Sequence, residues 1–360
     1  MKKLRIGILS AAGIARKNWP AMVNSGNCVV TAVASRSRDR SERFISECQG
    51  KCAFERPPAE LGSYDELIDS AGVDAVYIPL PTGLRREWVL RAAAAGKHVI
   101  CEKPCGINAA EVAEMTDACK KNGVQFMDGV MFMHSPRLAR IRELLDDGDS
   151  IGPVRRISTA FSFYVGEDFF RGNIRVDGRL EPTGCLGDLG WYCIRFALWT
   201  MNWQMPQAVS GRILTDSGTI AGRTADPIEF SGELIFEGGV SCGFYCSFLA
   251  PHQQWVSVSG KKGWLRIPDF VHPYDAYEPA FELNRSMIRV AGEPGEKMPP
   301  DGDRAFSTHP TGQIARMFRN FANQIFSGKL NEDWPMWALK TQQVMDGCFA
   351  MAGHGRMSKS

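Results

Sequence analysis

The sequence has no long apolar run and almost no net charge, and each absence excludes a class of protein. No stretch of about 18 apolar residues occurs, which excludes the usual membrane-spanning helix. The apolar start of the chain is interrupted by Arg5 and Gly7, which argues against a signal peptide. The 42 Lys and Arg residues offset 40 Asp and Glu residues, for a net charge of +2. Such a balance lacks the basic excess of proteins that bind nucleic acid or anionic membranes, so the predicted partner is a small molecule.

Paired cysteine motifs are also absent. The eleven cysteines contain no CxxC pair, so neither a zinc ribbon nor a thioredoxin-like motif is present, and no metal site is predicted. Cys101 and Cys105, like two other pairs, are four residues apart and could meet on a helix. Buried, reduced thiols are the alternative that we favour, and they predict a cytoplasmic protein.

The length and composition are those of an ordinary globular protein. A chain of 360 residues predicts about two domains. Its content of 44% hydrophobic and 23% charged residues argues against disorder and disulfide scaffolds. The sequence therefore predicts a folded protein of about two domains.

The first 130 residues alternate between short apolar runs and helical segments. An Ala-rich helix ends at Gly96, and the spacing from Asn108 to Glu111 is that of a capping box. The predicted strands are residues 4–9, 29–34, 75–80, 99–101 and 125–127. This alternation predicts an α/β fold, with an N-terminal Rossmann domain built on a doubly wound parallel sheet over residues 1–128.

The pattern changes after Met127 to longer β-rich runs without intervening helices. Gly238 and Gly239 predict a hairpin turn between two of these runs. Amphipathic patterns predict two closing helices, one over residues 313–326 and one after Pro335. We expect an α+β domain over residues 129–360 with a large open, mainly antiparallel sheet and closing C-terminal helices. Because an open sheet needs a cover, from its own helices or a partner subunit, a homodimer or higher homo-oligomer is predicted.

The turn after the first strand is the candidate phosphate-binding site. The dinucleotide fingerprint G-x-G-x-x-A falls on Ser10, Ala12 and Ala15, so small residues replace both glycines. Small side chains preserve the close approach of a pyrophosphate to the helix N-terminus. An ordinary strand-to-helix turn is the alternative. The predicted cofactor-binding residues of this turn are Ser10, Ala11, Ala12, Gly13 and Ile14.

The end of the second strand predicts which dinucleotide binds. NAD enzymes usually place Asp or Glu there, whereas this chain has Ser35 and Arg36, followed by Arg40. Hydroxyl and guanidinium groups suit a 2′-phosphate, so NADP is predicted, with NAD as the alternative. The alternative is that the arginines are ordinary solvent-exposed side chains at the start of a helix and bind no phosphate.

Lys103 follows an apolar strand at its carboxyl end, where doubly wound sheets bind ligands. Its neighbours Glu102 and Pro104 provide a charge and a fixed backbone. The pattern predicts a lysine that orients a substrate hydroxyl or lowers a neighbouring pKa, rather than a merely solvated side chain.

These motifs resemble those of the Gfo/Idh/MocA family of oxidoreductases. The resemblance rests on residues 96–99, on Glu102-Lys103-Pro104 and on residues 75–82. It extends through Asn173-Ile174-Arg175 and residues 184–192 to the branch of glucose-fructose oxidoreductase, dimeric dihydrodiol dehydrogenase and NADP-dependent xylose dehydrogenase. In that branch Tyr192 holds the position of a His in inositol dehydrogenases. The resemblance implies cofactor contacts from Pro79, Leu80, Pro81, Thr82, Glu102 and Lys103.

The resemblance also implies a proton-transfer set of Lys103, Tyr192 and Asp188. A helix from Gly187 onward would place Asp188 and Tyr192 on one face, four residues apart. A tyrosine with a pKa near 10 needs a cation to act as a base, and Lys103 would supply it. We assign Tyr192 as general acid/base, Lys103 as its pKa-lowering, substrate-orienting partner, and Asp188 as the acceptor that fixes the sugar or Lys103. A half-buried helix aromatic and a helix N-terminal charge are the structural alternatives for Tyr192 and Asp188.

Further residues are assigned to the substrate. Asn173 and Arg175 are expected to contact substrate or nicotinamide, and Phe163, with Phe169 and Phe170, to form an apolar wall against a sugar ring. His134 is either a pocket residue or a satisfied core histidine. Three positions depart from the branch: Glu181-Pro182-Thr183-Gly184 replaces a run of glycines, Arg85 replaces a common His, and Gly187 replaces a larger residue.

The predicted function is an NADP-dependent dehydrogenase that acts on a CH–OH group of a sugar or cyclic diol, in either direction. A sugar-to-sugar hydride shuttle with tightly bound NADP is one alternative. A non-catalytic nucleotide-binding regulator is the other, because the family includes such regulators. Joint presence of Lys103, Asp188 and Tyr192 favours catalysis.

Overall fold

The computed structural model of the protein describes residues 2–166, 169, 173–174, 177–218, 226–273, 281–285 and 312–354. The chain forms two compact units. The first unit contains Met1–His134, Arg179–Pro182 and Thr311–Gln342. The second contains Ser135–Gly178, Thr183–Pro310 and Gln343–Ser360.

A parallel sheet of six described strands forms the centre of the first unit, in the order β3-β2-β1-β4-β5-β6. Its strands are β1 Leu4–Leu9, β2 Cys28–Ala34, β3 Ala59–Leu61, β4 Ala75–Ile78, β5 His98–Cys101 and β6 Phe126–Asp128. This is the strand order of a Rossmann fold, which reverses direction between β1 and β4. The central strands are apolar and buried because helices cover both faces. The predicted fold class is confirmed.

The helices of this sheet begin and end close to the predicted signals. They are α1 Gly13–Asn24, α2 Arg38–Lys51, α3 Tyr64–Asp69, α4 Thr82–Ala94 and α5 Ala109–Lys121. Gly96 has the positive φ of 70° expected after α4. The Asn108 side chain accepts a hydrogen bond of 2.9 Å from the Glu111 N–H, as the capping box predicts. Sequence periodicity did not reveal β3 or α3, because each is too short to show a pattern.

One closing helix packs on the first unit. This helix, Gly312–Phe326, contacts α1, and its Phe318 ring meets Tyr77 edge to face at 5.8 Å. Arg319 Nε donates to the Ser25 carbonyl at 2.7 Å. We had expected both closing helices to belong to the domain that begins at residue 129. The apolar side of this helix is instead buried against the parallel-sheet unit, and the N-terminal compact segment continues to His134.

The second unit is built on a mixed sheet with the order β13-β12-β11-β7-β10-β9-β8. Only β7 and β10 pair in parallel among its described strands. The strands are β7 Val154–Ser162, β8 Ala208–Asp216, β9 Pro227–Ile235, β10 Ser241–Ser247, β11 Gln253–Gly260, β12 Trp264–Ile267 and β13 Glu282–Asn284. Gly238 and Gly239, with φ of 70° and 73°, form the predicted turn between β9 and β10. The mainly antiparallel sheet is confirmed.

Helix α7, Trp191–Thr200, covers one face of this sheet and contacts β7 and β10. Every residue of α7 is buried. Along β10 and β11, half-exposed residues alternate with buried ones, and the half-exposed residues lie on the opposite face of the sheet. This face contains a shallow cavity of about 780 Å³, lined by Arg156, Ser210, Tyr245 and Trp255, among others. Helix α6, Pro136–Asp146, begins the second unit. Of the two closing helices, α8, Gly312–Phe326, belongs to the first unit, and α9, Asp333–His354, is divided between the units after Gln342.

All eleven cysteines are free thiols, and ten of them are buried. Burial raises the pKa of the Cys28 thiol to about 11, so it stays protonated at neutral pH. None of the helices in the described part of the chain has both the length and the apolarity needed to cross a membrane.

Candidate active site

Four segments that follow neighbouring parallel strands meet at one edge of the first sheet. Leu9 pairs with Ala34, Ile8 with Tyr77, and Ile78 with Cys101. The residues that come next in the chain therefore emerge side by side at the carboxyl edge. This is where doubly wound sheets bind ligands, beside the point at which strand order reverses.

The turn after β1 has the geometry of a phosphate site. Ser10, at the first fingerprint position, has a φ of 140°, in the region that favours glycine. Helix α1 then begins at Gly13 with no side-chain cap from Ala12 and no acidic residue in its first turn. A Cβ on Gly13 would meet nothing within 4 Å. The helix N-terminus is thus open to an anion.

The end of β2 presents two arginines to solvent. Arg36 and Arg40 are exposed, and within the described ranges neither has an ion-pair partner, whereas Arg38 pairs with Glu66 at 3.9 Å. The Ser35 hydroxyl is directed inward and donates to the Ser37 carbonyl at 2.6 Å. Ser35 therefore stabilises the turn, and a direct cofactor contact from it stays a prediction.

Tyr64, the first residue of α3, joins this group without having been predicted. Its ring packs edge to face on Trp88 at 5.0 Å. Partial burial raises the pKa of Tyr64, while a hydrogen bond with Ser10 and the charges of Arg36 and Arg40 act in the opposite direction. Tyr64 thus lies between the turn after β1 and the arginines after β2. Only its place beside the N-cap residue Ser63 could have been inferred from the sequence.

The turn after β5 is anchored by a buried carboxylate. Glu102 accepts hydrogen bonds from the Tyr77 hydroxyl at 2.6 Å and from Asn18 Nδ2 at 3.4 Å. Its other oxygen accepts from the Lys103 backbone N–H at 3.3 Å. Burial, followed by the charge of Glu102, raises the pKa of Tyr77 well above its usual value, which keeps the hydroxyl a donor. Lys103 is half-buried above this network and is joined to Pro104 by a cis peptide bond.

A π-helical segment precedes Tyr192 in the second unit. Residues Leu186–Gly190 form this segment, and the regular helix α7 begins at Trp191. Asp188 lies in the π segment and Tyr192 in the first turn of α7, so the chain is helical from Gly187 onward, and a shared face for these two side chains stays a prediction. The predicted inward positions Leu189, Cys193 and Phe196 are all buried.

Gly184 at the start of this segment cannot carry a side chain. Its φ is 47°, and a Cβ there would lie 2.1 Å from the Pro227 carbonyl oxygen. Glycine is therefore required at position 184, because the Pro227 backbone lies too close for any other residue.

Aromatic rings surround Tyr192 in the second unit. The Tyr192 ring, 6% exposed, meets Phe161 edge to face at 5.5 Å. Phe161 in turn contacts Phe163 at 6.5 Å. Phe163 and Phe169 both pack on Phe248, at 5.4 and 5.5 Å. The predicted apolar wall is therefore one cluster, which includes Tyr192.

The remaining candidates divide between described and undescribed positions. The Asn173 N–H donates to the Phe169 carbonyl at 3.0 Å, which places Asn173 beside the aromatic cluster. Arg175 and Phe170 lie outside the described residues. The half-buried His134 packs on Trp334 at 5.9 Å and hydrogen-bonds Asn320 at 3.1 Å, so its ring has partners within the first unit. A search of the described positions found no group of three or more His, Cys, Asp or Glu residues arranged to hold a metal ion.

Comparison with protein families decides the relationship. A model of the oxidoreductase family with an NAD-binding Rossmann fold, GFO_IDH_MocA, matches residues 4–130. A model of the GFO/IDH/MocA C-terminal domain matches residues 138–266.

The chain belongs to the Gfo/Idh/MocA family. It is 38% identical over 290 residues to dTDP-3,4-didehydro-2,6-dideoxy-alpha-D-glucose 3-reductase of Streptomyces violaceoruber, covering 79% of this chain and 78% of the relative. It is 30% identical over 320 residues to D-xylose 1-dehydrogenase (NADP(+)) 2 of Haloferax volcanii, covering 88% and 92%. The crystal structure of a 3-ketoreductase from Actinomadura kijaniata with NADP and TDP-benzene superposes with a TM-score of 0.81 at 25% identity, covering 97% and 98%.

The chain is an oxidoreductase, as predicted, because its relatives in the family are named reductases and dehydrogenases. The relatives include both a reductase of a keto sugar and a dehydrogenase of a sugar, so family membership is compatible with either direction of hydride transfer.

Proposed function

We propose that this protein is an NADP-dependent oxidoreductase that transfers a hydride between the nicotinamide and a hydroxyl-bearing carbon of a sugar or cyclic diol. The observation that carries the proposal is the shared sheet edge. Lys103 emerges from β5 at the same edge as the open N-terminus of α1 and the loop Pro79–Thr82. An anion site and a lysine are thereby held on one rigid scaffold.

The first unit fits NADP at three points. The open turn from Ser10 to Ile14 suits a pyrophosphate because backbone N–H groups and the positive end of α1 point toward it. Arg36 and Arg40 carry exposed guanidinium groups without ion-pair partners among the described residues, as a 2′-phosphate requires. Tyr64 lies near both positions, since Arg36, Ser10 and Arg40 all act to lower its pKa. The NADP-dependent xylose dehydrogenase and the NADP-bound ketoreductase, both similar to this chain, support the same cofactor.

The protein's own groups would move the hydroxyl proton. When bound, NADP supplies the hydride acceptor or donor, and the substrate hydroxyl must lose or gain a proton in the same reaction. Tyr192 is the proposed general acid/base, since a phenol with a pKa near 10 functions at neutral pH if a cation stabilises its phenolate. Lys103 is the proposed cation. Asp188 is the proposed hydrogen-bond acceptor that fixes the sugar or Lys103.

A sugar ring fits the surroundings of Tyr192. Sugars bind through hydrogen bonds at their edges and apolar contact at their faces, and aromatic rings supply the second. Phe163 lies in the aromatic cluster that also contains Tyr192. We assign apolar contact to Phe163 and polar contacts to Asn173 and Arg175.

A turnover assay tests the proposal. The purified protein is incubated with NADP⁺, and separately NAD⁺, across aldoses, polyols and cyclic diols, and with NADPH and keto sugars, while nicotinamide absorbance is followed. We expect turnover with NADP(H) that Tyr192→Phe abolishes. Tyr245→Phe is the matched control, because Tyr245 lies on β10 and donates to Glu229.

The alternatives give different results in the same assay. Bound NADP released on denaturation, with turnover only when two sugars are supplied together, would indicate a hydride shuttle. NADPH binding without turnover in either direction would indicate a nucleotide-binding regulator and would overturn the catalytic proposal.

We also propose a homodimer formed through the open face of the second sheet. This face carries Trp255 and Trp264 beside Arg266, and large aromatic and arginine side chains are enriched in protein interfaces. Trp255→Glu should convert the dimer to monomers in sedimentation equilibrium, whereas a monomeric parent protein would refute the proposal. The free thiols favour a reducing compartment, and we propose the cytoplasm.

A further inference from the structure

Two of the positions that depart from the family branch converge on one residue. Arg85 and Glu181, which the resemblance to the branch singled out, are separated by almost one hundred residues in the chain. Both contact Thr82, the first residue of α4. All three belong to the first unit.

Arg85 joins two loops that carry predicted cofactor contacts. Its side chain is buried, and Nε donates to the Leu80 carbonyl at 2.7 Å. Nη1 donates to the Thr82 hydroxyl at 3.0 Å and also to the Pro104 carbonyl. One guanidinium therefore fastens the loop after β4 to the turn that carries Lys103.

Glu181 completes the arrangement from the short segment Arg179–Pro182. One carboxylate oxygen accepts from the Thr82 N–H at 3.0 Å, and the other accepts from the Thr82 hydroxyl. The Leu180 carbonyl accepts from the Gly83 N–H at 2.9 Å. These bonds satisfy N–H groups that the first turn of α4 leaves open, and a negative charge is stabilising at a helix N-terminus.

The two charges depend on each other. In the described part of the chain, no carboxylate lies within ion-pair distance of the Arg85 guanidinium, yet a buried charge requires compensation. The Thr82 hydroxyl, which accepts from Arg85 and donates to Glu181, connects the two side chains. Removing only one partner would leave the other charge poorly compensated.

We propose that Arg85 and Glu181 are a compensating pair of positioning residues that, through Thr82, set the loop Leu80–Thr82 against the Lys103 turn. The inference rests on the proposed function, since the loop carries predicted cofactor contacts and the turn carries the lysine that we assign to the substrate. Neither side chain takes part in the chemistry itself. Their effect on catalysis comes from the position of Lys103 and of the loop.

A double-mutant cycle tests the pair, using the residues usual in the branch. The variants are Arg85→His, Glu181→Gly and the double variant. Loss of one partner from a buried charged hydrogen bond reduces binding or turnover about 10- to 100-fold. We expect each single variant to lower kcat by roughly that factor, and the double variant to recover most of the loss.

The NADPH affinity, kcat and KM of each variant separate a positioning role from a loss of stability. NADPH affinity and kcat are measured well below the melting temperature of each variant, and KM for the substrate should change less than kcat. Arg86→His and Glu87→Gln are the matched controls, because both residues are exposed on α4 and Arg86 pairs with Glu114. The controls should leave all three constants unchanged.

Hydrogen exchange in the cofactor-free protein gives a result that does not depend on the proposed function. Peptides over residues 79–84 and 101–106 should both exchange faster in each single variant and return toward the parent rate in the double variant. Unchanged exchange at residues 101–106, or losses that simply multiply in the double variant, would overturn the pair. A parent protein that neither binds nor turns over NADPH would overturn the proposed function alone, and exchange would still decide the pair.

Discussion

The two units place their candidate residues by different means. In the first, the candidates follow parallel strands whose register brings Ser10, Ser35, Pro79 and Glu102 to one edge. In the second, Tyr192 lies on a helix that begins with a π turn, and its neighbours are rings from distant segments. Backbone topology positions the first set, whereas side-chain packing positions the second. Substitutions should therefore act on ligand binding in the first unit, and on chemistry or stability in the second.

The largest effect is expected at the proposed proton-transfer set. Tyr192→Phe and Lys103→Met should each lower kcat about 10²- to 10⁴-fold, because proton transfer loses its acid/base or its cation. Groups that work as a unit are not additive, so the double variant should be no slower than the slower single variant. Steady-state turnover with the best substrate of the panel measures all three.

The control for this cycle is Lys120→Met, an exposed lysine of the first unit that pairs with Glu332. Its kcat should match that of the parent. Losses that multiply in the Lys103→Met/Tyr192→Phe protein would show that the two residues act independently, and would break the assignment.

A pair of glycines compares the packing demands of the two units. Gly184→Ala should lower the free energy of unfolding by more than about 2 kcal/mol, because positive φ and contact with the Pro227 carbonyl both oppose a Cβ. Gly13→Ala should change it by less than about 0.5 kcal/mol, since open space surrounds that position. Urea denaturation followed by tryptophan fluorescence measures both, and equal midpoints would contradict the close approach at Gly184.

Cofactor choice tests the edge of the first sheet. Arg36→Ala should weaken NADPH binding about 10- to 100-fold, as expected for a charge-assisted hydrogen bond, and leave NADH binding unchanged. Arg38→Ala is the matched control because Arg38 already pairs with Glu66. Isothermal titration with both nucleotides measures the difference. If the Arg36→Ala protein binds NADPH as tightly as the parent, Arg36 does not bind the 2′-phosphate and is only an exposed residue near a helix start.

The smallest effect is expected at the amino-terminal edge of the same sheet. Arg5 pairs with Asp74 at 2.5 Å on the surface, and the hydrogen bond from Arg5 lowers the pKa of Asp74 below its ordinary value of 3.8. A lowered carboxylate pKa contributes stability that is present above the ordinary pKa and is lost as the pH falls through the lowered one. Arg5→Ala should therefore cost less than about 1 kcal/mol near neutral pH.

Urea midpoints of Arg5→Ala and the parent, measured from pH 7 down to pH 2, check the sign. The difference between the two proteins should shrink as the pH falls below 3.8, the ordinary value for Asp74. A difference that grows on acidification would contradict the ion pair.

Strand and helix identity in both units followed from local patterns. The run at Leu4–Leu9 is mostly apolar, and Pro227–Ile235 alternates buried apolar residues with polar ones, as strands do. Gly96 and Asn108 mark helix ends through backbone conformation and capping. Such signals depend on neighbours in the chain. The short elements β3 and α3 escaped because three to six residues carry too little periodicity to distinguish them from loops.

The amino-acid sequence by itself determined the parallel sheet and the mainly antiparallel sheet. It also predicted that the turn after β1, the arginines after β2 and Lys103 share one edge, because residues that follow strands inherit their place from topology. Only the tertiary structure decided that Tyr64 joins Ser10, that a π turn precedes Trp191, that Gly312–Phe326 packs on the first unit, and that Arg85 and Glu181 meet at Thr82. Each of these depends on contacts between segments far apart in the chain, which no local pattern records.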